Sequence, residues 1–133
     1  MDKMIDPLRV LNWLAARIVA PHWAIASTVL VGELGARAIR ARSFVNGVTI
    51  AMTLDRPPDR AAEACLLLAA TPEVSDDSLY LAESQLWLLR RYPVSLTETE
   101  LDLLFKQQLA LAALLALSSG ADAVPLPIAG RYA

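Results

Sequence analysis

Cysteine and histidine are almost missing from this chain, with one of each, Cys65 and His22, among 133 residues. A lone cysteine excludes an intrachain disulfide and makes a reducing compartment the default expectation. Two such residues, far apart in sequence, cannot supply the usual ligand set of a zinc site. His22 is expected to cap or pack beside Trp23. Glycine is scarce too, at five residues, and none sits in a phosphate-cradling loop or a nucleophile elbow. Long uncharged apolar runs are also lacking. The best window, 10–32, contains Asn12, Arg17, Pro21 and His22, and a central arginine is costly in a bilayer. Residues 109–117 are uninterrupted but well short of the ~20 needed to cross. Asp2, Asp6 and Arg17 spoil a signal peptide. These absences favour a cytoplasmic protein, or one within an assembled particle, with no metal, no cofactor and no catalytic residues.

What is present is an excess of apolar residues, 56% against 20% charged, where an ordinary soluble domain has about 45–50% apolar. Such a chain makes one helical domain over 1–120, with an arm at 121–133. The surplus apolar surface needs a membrane, a lipid-like ligand or a subunit interface. Charge is divided along the chain: eight basic residues face five acidic ones in 1–60, and four face nine in 61–133. A basic end and an acidic end can meet between copies.

The patterning reads as mainly α, about five helices in a compact bundle. Asp6-Pro7 is a strong start, an N-cap acceptor followed by proline at the first helical position, and the helix should stop or kink before Pro21. A second helix is expected from Trp23, and a third from Pro57-Pro58 to Ala70. A fourth runs from Ser75, with Asp76 and Asp77 in its first turn, to the residue before Pro93. In the fifth, Thr97 and Glu100 make a capping box, Leu96 and Leu101 occupy staple positions, and Ser118-Ser119-Gly120 marks the far end, about 30 Å away. Its half at 109–117 is leucine and alanine on every side, and calls for surroundings on every side.

Asn46-Gly47 is the exception to the helical pattern, because it is the strongest short-range hairpin signal. A small β-hairpin or single strand is therefore expected near 39–54. A two-residue turn there would pair Val45 with Val48, Ser43 with Ile50, Ala41 with Met52 and Ile39 with Leu54. The opposite face would carry Arg40, Arg42, Phe44, Thr49, Ala51 and Thr53. The competing reading extends the second helix to about Arg42, with Glu33 and Arg37 as an i,i+4 pair, and leaves 48–54 as a lone strand.

Three groups of residues are candidates for protein contact. Arg40, Arg42 and Phe44 would form a basic, aromatic edge on the hairpin. Tyr80, Trp87 and Arg91 are of the types that anchor interfaces. Val124, Leu126 and Ile128 alternate with prolines in an arm that excludes helix and favours extension. Asp55, Asp59 and Glu63 have a spacing that a divalent cation could use, but read better as caps and first-turn acids. Arg37, Arg40 and Arg42 offer a weak case for nucleic acid, in an acidic chain without a recognition motif. The reading is a non-catalytic subunit of a larger homo- or hetero-oligomeric assembly, by fold-level analogy with adaptor or neck modules of phage particles or with secretion-type rings and tubes. A membrane-associated helical protein and a small helical hydrophobic-ligand binder or enzyme are the alternatives.

Overall fold

The computed structural model describes residues 6–54, 65, 77–93 and 95–120, with the backbone alone at 116–120. It corrects the helical-bundle expectation. The described residues form a six-stranded antiparallel sheet with a helix before it and a helix after it. The likeness to helical adaptor modules of phage particles loses its basis with the bundle.

Helix α1 spans Pro7–Ala15 and starts where its cap dictates: the Asp6 carboxylate accepts from the Arg9 N–H at 2.9 Å, with proline in the first turn. The chain then turns into strand instead of a second helix. Strands β1 (Val19–Ala24), β2 (Val29–Leu34), β3 (Arg37–Phe44) and β4 (Gly47–Thr53) form a meander. After 55–76, β5 (Asp77–Ala82) takes the far edge and β6 (Gln85–Pro93) returns between β5 and β4. Helix α2, Glu98–Gly120, follows the capping box: the Thr97 N–H donates to the Glu100 carboxylate at 3.0 Å, and the Glu100 N–H donates to the Thr97 hydroxyl at 3.2 Å. The expected helix from Pro57-Pro58 to Ala70 lies outside the described residues, save that Cys65 is helical and exposed.

Two expected helices are strands for identifiable reasons. Between Trp23 and Arg42 the chain turns at Ile25-Ala26-Ser27, each with positive φ, and again at Gly35, φ +65°. Only the glycine is a turn signal in the sequence. Between Ser75 and Pro93 it turns at Glu83-Ser84, with φ of 55° and 62°, where the usual hairpin residues would be Asn-Gly. Pro21 is accommodated because β1 is an edge strand with a bulge between Val19 and His22.

The hairpin at 39–54 exists, two residues out of the expected register. Ile39 pairs with Met52, Ala41 with Ile50, Ser43 with Val48 and Phe44 with Gly47. Val45 and Asn46 make the turn, neither with positive φ. Gly47 is there for space: a Cβ would come within 2.6 Å of the Tyr92 carbonyl on β6. The slip is an even number, so the paired side chains keep their expected faces, while Val45 leaves the core face for the turn, where it is exposed.

Both helices pack on one face of the sheet. Leu11 and Leu14 of α1 and Leu101, Phe105 and Leu111 of α2 enclose Leu30, Ile39, Ile50, Met52 and Leu88. The helices meet through Trp13 and Phe105, edge to face at 5.6 Å. The apolar half of α2 is covered on one side: Leu111, Ala112 and Leu115 are buried, whereas Leu114 is 47% exposed.

Polar groups tie α2 to the sheet within this core. The Arg90 guanidinium holds the Asp77 carboxylate through Nε and Nη2 and donates from Nη1 to the Gln107 side chain at 2.8 Å. Gln108 accepts from the Tyr92 hydroxyl at 2.6 Å and donates to the Ile50 carbonyl at 2.8 Å. Burial pushes the Tyr92 phenol well above its ordinary range, against the pull of the nearby Arg90 cation.

Candidate interaction surface

Alternation along each strand decides what the second face of the sheet carries. On β3 it turns Ala38, Arg40, Arg42 and Phe44 away from Ile39 and Ala41, which are buried against the helices. On β6 it does the same for Trp87, Leu89, Arg91 and Pro93, and on β5 for Tyr80. The register then sets these residues side by side. Phe44, Gly47 and Pro93 form one cross-strand row, and Arg42, Thr49 and Arg91 form the next. Arg40, Ala51 and Leu89 follow, and then Ala38, Thr53, Trp87 and Tyr80. The six residues singled out on β3, β5 and β6, which are Arg40, Arg42, Phe44, Tyr80, Trp87 and Arg91, therefore share one face.

They divide into two groups there. Around Trp87 the contacts are mutual: its ring stacks on Tyr80 at 6.1 Å, the Arg40 guanidinium lies 4.9 Å over it, and its indole N–H donates to the Ala82 carbonyl at 3.1 Å. Arg40 also pairs with Glu83 at 3.2 Å. Trp87 is only 2% exposed, so its part is to hold Arg40 and Tyr80 in place. Partial burial raises the Tyr80 phenol above its usual range; Arg40 opposes this and Glu83 adds to it.

The second group is open. Arg42 and Arg91 are exposed, and among the described residues neither takes part in an ion pair. Phe44 is 49% exposed beneath the Arg42 guanidinium, 5.3 Å from its ring, and Val45 at the turn is 94% exposed. Where Gly47 contributes no side chain, a hollow of about 340 Å³ opens, lined by Phe44, Asn46, Gly47, Val48, Arg91 and Pro93.

The fold has a solved counterpart. It is similar to the crystal structure of YbjN from E. coli, described as a candidate transcription regulator, with TM-score 0.54 and 12% identity over 90% of this chain and 92% of that one. At that identity the likeness concerns the fold alone. No protein-family model and no curated protein matches the sequence.

Other candidate residues fall elsewhere. Arg37 stands apart from Arg40 and Arg42, because it belongs to the opposite alternation and donates to the Thr53 carbonyl at 3.2 Å. His22 is exposed on β1, across from Val31. Asp55, Asp59, Glu63, Val124, Leu126 and Ile128 lie outside the described residues. Among the described residues no group of three metal-ligating side chains converges, and no helix is long and apolar enough to cross a membrane. Pro93 and Gly47, which line the hollow, carry no sign of that role in the sequence, where the proline reads as a helix stop and the glycine as a turn residue. Both could be found only once β6 was known to lie beside β4.

Proposed function

We propose that this chain is a non-catalytic subunit that acts through protein–protein contact, and that the sheet face opposite the helices is its contact surface. One observation carries the reading: Arg42, Phe44 and Arg91, drawn from strands far apart in sequence, are exposed together on that face around an apolar hollow. Exposed arginine and aromatic side chains around a hollow are what interface anchors look like before a partner arrives. The description of YbjN as a candidate transcription regulator supplies a second reading, nucleic-acid contact through the same arginines. A formal net charge of −2 weighs against it.

Native mass spectrometry of the chain recovered from its source tests the reading. The expected result is a defined oligomer or a complex with another protein, weakened when Arg42 and Arg91 are both replaced by glutamate while the circular dichroism spectrum is unchanged. A monomer at micromolar concentration, with no protein partner recovered, would overturn it.

A further inference from the structure

Arg42, Thr49 and Arg91 occupy one cross-strand row, which puts the two arginine Cα atoms two strand spacings apart, roughly 10 Å. The Arg42 guanidinium lies over the Phe44 ring and Arg91 lines the hollow, so both cations border it, and arginine side chains are long enough for the two to share one anion on the Thr49 side. Neither arginine is neutralised by a carboxylate among the described residues. The next row toward the turn is Phe44, Gly47 and Pro93, with the hollow between the two rings. The backbone row that carries the two arginines thus lies two residues along the strands, roughly 7 Å, from the row that carries the notch, and the arginine side chains border the notch itself. Resting on the contact reading above, we infer that this corner binds an extended acidic peptide segment, in which a carboxylate side chain is held by Arg42 and Arg91 and an apolar side chain two residues away enters the notch.

The spacing carries the choice of ligand. In an extended peptide, side chains at i and i+2 point the same way and stand about 7 Å apart, the interval between the two rows. Guanidinium groups match carboxylates through paired N–H donors. Tracking a phosphate backbone needs several cations in a line. Here Arg40, the next arginine along β3, is already taken by Glu83 and the Trp87 ring. Among the described residues the surface offers two cations outside any ion pair beside an apolar wall, a combination that suits a peptide better than a nucleic acid.

The test is a double-mutant cycle across the contact, read by fluorescence anisotropy at low salt. The probes are a labelled Ser-Glu-Ser-Phe-Ser peptide, its Ser-Gln-Ser-Phe-Ser counterpart and a labelled single-stranded oligonucleotide of mixed sequence. Replacing the peptide glutamate by glutamine is expected to weaken binding about tenfold, and Arg42→Ala or Arg91→Ala to do the same with the glutamate peptide. With the glutamine peptide, both substitutions should be nearly silent, because the carboxylate they serve is gone. Both arginines are exposed, so the variants should fold, which circular dichroism checks. Equal binding of the two peptides, an unchanged affinity in Arg42→Ala and Arg91→Ala, or tighter binding of the oligonucleotide than of the glutamate peptide would each overturn the inference. A protein complex recovered from the source alongside a negative cycle would sink this inference and leave the contact reading standing. A positive cycle with no recovered partner would do the reverse.

Discussion

Single residues decide how firmly α2 sits on the sheet. Arg90 is 4% exposed and Gln108 is fully buried, and polar groups so placed are stabilising only while their partners remain. Removing the carboxylate by Asp77→Ala takes the paired counter-charge from a buried guanidinium. The expected loss is about 3–5 kcal/mol in urea denaturation, and a smaller loss in the double variant Asp77→Leu/Arg90→Met would show that the charge, not the volume, was at fault. Gln108→Leu keeps the volume but strips the Tyr92 hydroxyl of its 2.6 Å acceptor and the Ile50 carbonyl of its side-chain donor. It should cost about 1–3 kcal/mol by the same measurement. None of this was legible beforehand, since a glutamine beside a leucine run reads as surface until the strand beneath it is known.

At the scale of elements, the caps were legible and the turns were not. Asp6-Pro7 and Thr97-Glu100 announce α1 and α2 because a cap is made by residues within one turn of each other. The β5–β6 hairpin turns at Glu83-Ser84, both with positive φ, and there the sequence carries no glycine or asparagine to mark it. A left-handed conformation costs a side-chain-bearing residue roughly 1–2 kcal/mol. Ser84→Gly should therefore raise stability by about 0.5–1 kcal/mol, seen as a higher Tm. A lower Tm would mean that the serine side chain has a role in the turn beyond its backbone. The spacing of Tyr80 and Trp87 does not tell helix from strand. Residues seven apart meet on one side of a helix, and a two-residue turn at 83–84 makes the same two residues cross-strand neighbours.

For the whole molecule, the packing of two helices on one sheet face separates an interior with ionisable groups from a surface with charges to spare. Tyr92 has a folded-state pKa raised above the ordinary 10.0, chiefly by burial, and Tyr80 is raised in the same direction. A raised value means that folding favours the neutral phenol. The stability this contributes is whole below the unfolded-state value and drains away as pH climbs from there toward the folded-state value. Unfolding free energy should thus fall as pH rises beyond about 10, and the fall should be shallower in Tyr92→Phe. An equal slope in both proteins would place the alkaline sensitivity elsewhere.

The sequence by itself determined where α1 and α2 begin, and which face each paired residue of 39–54 takes once that segment is a hairpin. These depend on neighbours in the chain: caps reach three residues, and strand faces follow a period of two, which an even slip in register preserves. Tertiary structure alone decided that 39–54 is a hairpin, and not the end of a helix followed by a lone strand. So too with 19–34 and 77–93 as strands, because short apolar runs suit helix or strand equally and the choice falls to whichever partner buries them. It also decided what Gly47 is for, a close approach to the Tyr92 carbonyl. The same pairing of β4 with β6 brings Arg42 and Arg91 into one row across Thr49. Two arginines nearly fifty residues apart become one candidate site only because a strand from the second half of the chain lies beside the hairpin.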